Sequence, residues 1–246
     1  MSIIEVACTP FQDQKPGTSG LRKQTARFME PHYLETFVQA IFTAARPEGD
    51  LVLGGDGRYF NAEAIQKIIR IAVANGVRRV IVGQDGVLST PAASHLVRKR
   101  GAAGAIILSA SHNPAGPDGD FGLKYNGDNG APAPERVTES IYAAAKSVTA
   151  YRLQAGPAVD LGRLGVQHFG GAEIEIVDPT SAYADLMERL FDFDQIGDLV
   201  RRRDFRFLFD GMSAVTGPYA EEIFQRRLRA PAQSLIRCTT LPDFGG

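Results

Sequence analysis

The 246 residues carry 27 basic and 28 acidic side chains, a formal charge of −1, with 44% hydrophobic and 22% charged residues. Such a balance offers no sequence-wide field to recruit nucleic acid or an anionic membrane, and no apolar run approaches the roughly 20 residues needed to span a bilayer. Cys8 and Cys238 lie far apart, outside any CxxC or Cys/His metal spacing. The N-terminus lacks the basic-then-apolar pattern of a secretory leader, so a reducing, cytoplasmic setting is expected.

In chain order, the pattern predicts a helix over Pro31–Ala45 and then a buried strand, LVLGG, at Leu51–Gly55. Ile65, Ile68, Ile69, Ala72 and Val73 recur at helical spacing before the stop signal Asn75-Gly76. A strand at Arg79–Gly83, a helix at Pro91–Arg100 ended by Gly101, and a strand at Ala105–Ser109 follow. Alternation of this kind predicts an α/β sheet with helices on its faces and ligands at the carboxyl ends of the strands.

Beyond a helix at Glu135–Ser147, the Gly-rich, polar stretch Tyr151–Gly171 reads as a connection, and Glu173–Val177 alternates like a half-buried strand. Helices at Ser181–Leu190 and Asp194–Arg201 precede a renewed rhythm: a strand at Arg206–Asp210, a helix at Pro218–Arg229 and a strand at Ser234–Cys238. Two domains are expected, 1–184 and the beginning of a second at 185–246. The second has about one β-α-β repeat, fewer strands than a sheet usually needs for stability. Its uncovered edge predicts aggregation, or fast proteolysis beyond about residue 185.

The stretch SASHNPAGPDGDFGLKYN, Ser109–Asn126, begins where a buried strand ends. Asn113-Pro114 and Gly116-Pro117 exclude a regular element there, so Ser111 is presentable to a ligand. A serine hydroxyl needs a base, a metal or an electropositive setting to act as a nucleophile. In an extended loop His112 would point away from Ser111, so a base would have to come from elsewhere. A turn hydrogen-bonded to its own backbone is the competing reading of the same residues.

The motifs GTSGLRK (Gly17–Lys23), GGDGR (Gly54–Arg58), STPA (Ser89–Ala92), SASHNP (Ser109–Pro114) and GDFGLKYN (Gly119–Asn126) occur in an order that resembles the phosphoglucomutases of the α-D-phosphohexomutase superfamily. NGAPAPE (Asn129–Glu135), GPY (Gly217–Tyr219) and LPDFGG near the C-terminus extend the likeness over essentially the whole chain. The resemblance implies a three-layer α/β/α sandwich and a phosphorylated Ser111 that donates to O6 of glucose 1-phosphate. A glucose 1,6-bisphosphate intermediate then returns its other phosphate to Ser111. It also implies a magnesium ion on the phosphate of Ser111, hexose phosphates as partners, and His112 and Lys124 as catalytic groups. Thr18, Ser19, Gly20, Arg22, Lys23 and Asn113 become substrate- or phosphate-binding residues, with Arg22 and Lys23 on the rim. Asp56 and Arg58 are expected to buttress loops, and His32, His95 and His168 to be ordinary packing or surface residues.

The resemblance stops short in three places. The family's DxDxDR metal loop, its GEESFG-like sugar loop and its C-terminal phosphate-binding domain have no counterpart in these residues, and DGMSAV (Asp210–Val215) departs from a DAMHGV-like pattern. A truncated mutase, inactive alone, is therefore expected. A short non-catalytic sugar-phosphate-binding or regulatory relative is the alternative, and a phosphatase-like hydrolase a third reading. Composition does not fix the oligomeric state.

Overall fold

A computed structural model describes residues 2–17 and 19–246. The chain opens with β1 (Ile3–Ala7), β2 (Leu21–Gln24) and two helices, α1 (Thr25–Met29) and α2 (Tyr33–Ala45). There follow β3 (Leu51–Gly55), α3 (Asn61–Ala74), β4 (Arg79–Val87), α4 (Thr90–Arg100), β5 (Gly104–Leu108) and β6 (Asp120–Asn126). Next come α5 (Glu135–Ala145), β7 (Ala150–Gln154), β8 (Gly165–Phe169), β9 (Ala172–Val177), α6 (Ser181–Leu190) and α7 (Phe193–Arg201). β10 (Phe209–Asp210), α8 (Thr216–Ala220) and β11 (Leu235–Ile236) complete the order.

A seven-stranded sheet runs β2-β6-β5-β3-β4-β9-β8. The β5, β3, β4 and β9 strands are parallel neighbours, while β6 and β8 run antiparallel to theirs. Every residue of β3 and β5 is buried, as expected of parallel strands covered on both faces. One cover is the core of α2, α3 and α5 with Leu53, Val82, Leu108, Phe121 and Leu123. The other comes from α4, with Val52, Ile81, Ala105 and Ile107 beneath it and Ala182 and Tyr183 of α6 packed alongside. The predicted three-layer α/β/α arrangement is present.

Local signals explain most of the element ends. Ser89 caps α4, its Oγ accepting from the Ala92 N–H at 3.4 Å, with proline in the first turn and Gly101 at φ 61° closing the helix. Two expectations need correction. Tyr151–Gly171 is not merely a connection: it contains most of β7, which pairs antiparallel with β1, and β8, which edges the main sheet beside β9. Both are only five residues long, and β8, at the edge of the sheet, is rich in exposed positions, the composition that makes an edge strand read as loop.

The C-terminal strands are also shorter than predicted, with only Phe209–Asp210 and Leu235–Ile236 pairing. The Pro218–Arg229 helix divides into α8 and a π-helical stretch, Glu221–Arg227. That wider turn aligns residues five apart, and Arg227 Nε reaches Glu222 at 3.0 Å while its other nitrogens meet Asp185 and Glu188 of α6 at 2.8 Å each.

Residues 193–230 share a small core of Val200, Leu228 and Ala230 with Phe205, Phe207, Ile223 and Phe224, and leave Leu208 and Met212 exposed, as is Leu190 at the end of α6. Their tie to the main sheet includes Tyr219, buried in the α4 layer, whose hydroxyl oxygen accepts from the Ser89 N–H at 3.0 Å. Burial pushes the Tyr219 phenol up to about 12, so it remains a neutral hydroxyl across physiological pH. Tyr219→Phe orphans the buried Ser89 N–H and should lower the unfolding free energy by roughly 1–3 kcal/mol. Urea denaturation would measure that loss, and limited proteolysis should show faster cutting beyond residue 185.

Candidate functional site

The loops that leave the carboxyl ends of β3, β4 and β5 converge with β6 and β2. At their centre is Arg58, 1% exposed. Its Nε lies 3.0 and 3.1 Å from the two Asp56 carboxylate oxygens, and Nη2 donates to Asp56 at 3.0 Å. Nη2 also donates to the Ser111 carbonyl at 3.1 Å, and Nη1 to the Asp120 carbonyl. The buttress expected from GGDGR is thus a clamp on both ends of the Ser111 loop.

Ser111 itself adopts φ 61°, a left-handed conformation that costs a non-glycine residue of order 1–3 kcal/mol unless its surroundings impose it. They do so here. The Ser111 N–H donates to Ser109 Oγ at 2.9 Å and the Asn113 N–H to the Ala110 carbonyl at 3.3 Å. The Asn113 side-chain amide donates to Asp120 at 2.8 Å. The loop is therefore a turn rather than the extended segment expected from sequence, and both Ser111 and His112 are exposed on it. Asn113 fixes the loop internally.

Strand register brings Arg22 and Lys124 together. Arg22 pairs with Gly122, and Leu21 with Leu123, so the twofold pleat places Arg22 and Lys124 on one face and Leu21, Lys23, Phe121 and Leu123 on the other. Gly122 in turn lies against Ser109: the Ser109 N–H donates to the Gly122 carbonyl at 2.8 Å, and a Cβ on Gly122 would stand 2.2 Å from the Ser109 carbonyl oxygen.

Lys124 Nζ donates to Thr90 Oγ1 at the start of α4, 3.2 Å away. Burial lowers its pKa, the nearby Arg22 adds to the effect, and Asp56 opposes it. Arg22 Nε is buried with no hydrogen-bond partner among the described residues. Two neighbouring cations, one with an unused donor, form a setting that an anion would complete.

Lys23 is not brought to this face. It lies 3.8 Å from Asp13, which also binds Arg27 at 3.1 Å, so strand alternation separates the two basic residues predicted to share a rim. Gly20 closes a tight turn with Gly17 through two 3.0 Å backbone bonds. Its φ of 85°, with the Leu123 carbonyl 2.3 Å from where a Cβ would be, requires glycine. Ser19 is exposed on that turn, and Thr18 lies outside the described residues.

Of the histidines, His32 bonds the Tyr151 hydroxyl through Nδ1 at 3.0 Å, and His95 is buried, its pKa lowered chiefly by burial. Thr90, Ser109 and Asp120 were not singled out in the sequence, although all three stand inside quoted motifs.

No group of three or more His, Cys, Asp or Glu among the described residues is arranged to hold a metal ion. One serine oxygen does not make a magnesium site with these residues, so the chemistry below is built from the chain's own side chains. No helix among the described residues is long and apolar enough to cross a membrane.

A mixed sheet with helices on both faces and a strained serine in the loop after β5 defines an α/β/α domain. Residues 13–152 match the model of the phosphoglucomutase/phosphomannomutase α/β/α domain I, and the chain belongs to that family.

A phosphoglucomutase of Emericella nidulans is 52% identical over all of this chain and 45% of its own length. A chloroplastic phosphoglucomutase of Solanum tuberosum is 49% identical over all of this chain and 39% of its own. The chain thus spans less than half the length of these relatives. The crystal structure of parafusin, a phosphoglucomutase from Paramecium in an open form, superposes with a TM-score of 0.95 at 43% identity, over 99% of this chain and 46% of that one.

Removing Asp56 alone strands a buried guanidinium, and Asp56→Ala should cost about 3–5 kcal/mol. Asp56→Leu combined with Arg58→Met should recover much of that loss in urea denaturation while leaving the Ser111 loop unclamped. Lys124→Met should act oppositely. A lysine with a lowered folded pKa destabilises the fold below the ordinary value of 10.5, because the unfolded chain binds the proton more tightly. The variant should therefore be more stable than the parent at neutral pH, with the difference closing as pH rises through that value.

Proposed function

We propose that this chain carries a transferable phosphate on Ser111 and forms the phosphoryl-donating part of a phosphoglucomutase that interconverts glucose 1-phosphate and glucose 6-phosphate. The observation that carries the proposal is the exposed Ser111 at φ 61°, clamped by Arg58 and set beside a face where Arg22 and Lys124 stand unneutralised.

In the forward direction the O6 hydroxyl of glucose 1-phosphate attacks the phosphorus on Ser111. The P–Oγ bond breaks as the O6–P bond forms, the O6 proton is given up, and Ser111 Oγ takes one up. The sugar bisphosphate then turns over and returns its other phosphate to Ser111 by the reverse exchange, so no phosphate is consumed. Arg22 offers a planar donor to phosphate oxygens. Lys124, its proton loosened by burial and by Arg22, neutralises charge on the transferring group and exchanges protons with sugar hydroxyls. The Gly17–Gly20 turn lets backbone approach the phosphate, and His112 orients the sugar from the exposed side of the loop.

The free thiols of Cys8 and Cys238 suit a reducing compartment such as the cytoplasm, although one plant relative is named chloroplastic.

Exposure of the 246-residue chain to glucose 1,6-bisphosphate should place one phosphate on the peptide containing Ser111, read by mass spectrometry, and none on Ser111→Ala. Added glucose 1-phosphate should then remove the label as sugar bisphosphate. Release as inorganic phosphate would mark a hydrolase, and an unlabelled parent chain would refute the assignment. Arg22→Met should weaken binding of inorganic phosphate by roughly tenfold or more, the worth of a charge-assisted hydrogen bond, in isothermal titration.

A further inference from the structure

LPDFGG is a motif for which the proposed chemistry gives no role. In the structure the turn Thr240–Gly246 reaches back from the C-terminal unit onto the loops after β3 and β5. The Tyr59 N–H donates to the Pro242 carbonyl at 2.7 Å. Gly57 approaches so closely that a Cβ there would lie 2.6 Å from the Thr240 methyl group. On the Ser111 loop, the Asp243 Cβ stands 3.7 Å from the corresponding position of Gly116. At the centre of these contacts the Arg58 guanidinium carbon lies 5.3 Å from the centroid of the Phe244 ring.

The orientation of these contacts matters. All three guanidinium nitrogens of Arg58 donate within the site, to Asp56, Ser111 and Asp120. The π surface of the guanidinium is left for stacking, and an aromatic ring there is attracted by the cation while excluding water from the ion pair. Water exclusion strengthens every hydrogen bond the guanidinium makes, including the one that holds the Ser111 carbonyl. Phe244 is itself at φ 56°, and the turn is tied to the C-terminal unit by the Leu241 N–H donating to the Ser213 carbonyl at 2.9 Å, while Gly245 N–H donates to Asp243 at 3.0 Å.

We infer that Phe244 is a positioning residue for Ser111: its aromatic face covers Arg58 and holds the carbonyl clamp that keeps the serine in its strained, presented conformation. The role rests on the reading of Ser111 as the phosphate carrier. Phe244 acts through Arg58. By this link the C-terminal unit governs the order of a loop on the first sheet.

The test is amide hydrogen exchange on the intact 246-residue chain, comparing the parent with Phe244→Ala, Phe244→Leu and Phe244→Tyr. Exchange in residues 109–113 should quicken about tenfold in the alanine variant, the scale of a desolvated cation–π contact. It should stay quick in the leucine variant, which restores apolar cover without a π face, and return to the parent rate in the tyrosine variant. Amides of Ile69–Ala74, at the end of α3 away from Arg58, should not change.

An unchanged loop in Phe244→Ala, or a leucine variant matching the parent, would overturn the inference. So would acceleration of loop and α3 amides in step, since that would make Phe244 a general stability residue. The exchange readout requires no phosphate. A chain that fails to label at Ser111 therefore defeats the proposed function without deciding this question, and the exchange rates decide it without reference to labelling.

Discussion

The buried ion pair of Arg58 and Asp56 is the constraint on which the site depends. Taking both charges out of water costs several kcal/mol per ion, and the pair recovers that cost only when its geometry is good and its remaining donors are used. Here Asp56 takes a forked contact, and the two carbonyls that take the remaining donors bracket one loop, Ser111 at its start and Asp120 at its end. A structural ion pair could have used any carbonyls. That these belong to the Ser111 loop makes the cost of burial serve the presentation of one side chain in a backbone conformation it would not otherwise choose.

The charges on the neighbouring face make the opposite use of burial. Arg22 and Lys124 share one side of the β2–β6 pair, Lys124 with its proton loosened by burial and by Arg22, and Arg22 with a donor unused. Like charges placed together and partly desolvated are unfavourable until an anion arrives. The fold accepts that cost at one spot, while Lys23, the next residue along, is turned by the strand pleat to an acidic partner on the far side. Burial thus works against stability at Lys124, while at Arg58 the same burial is compensated by a full set of hydrogen bonds.

Much of this was legible from sequence where the signal is periodic. The buried runs read at Leu51–Gly55 and Ala105–Ser109, the helical spacing from Ile65 to Val73, and the helix stop at Gly101 all carry local chemistry that fixes their conformation. Ser111, Arg22 and Lys124 were singled out through motif order.

What was not legible depends on pairing between distant residues. β7 joins β1 across more than 140 positions, and nothing local marks either as a strand. The split between Arg22 and Lys23 required knowing that Leu21 faces the core. Thr90 as a partner for Lys124 required the register of β6 against β5 and the placement of α4, and the left-handed turn at Ser111 required the clamp itself.

The C-terminal unit is attached in a way that bears on this balance. Its small aromatic core is separate from the main ones, yet two of its contacts land on site loops: Tyr219 on the N–H of Ser89, next to the residue that accepts from Lys124, and Phe244 over the guanidinium that holds Ser111. Contacts on sheet faces would have stabilised the fold without touching the site. Contacts on the loops after β3 and β4 instead make the order of those loops depend on residues more than a hundred positions away. The guanidinium and the N-cap on which that unit rests also hold Ser111 and, through the neighbouring Thr90, Lys124, so the contacts that attach the unit are shared with the site.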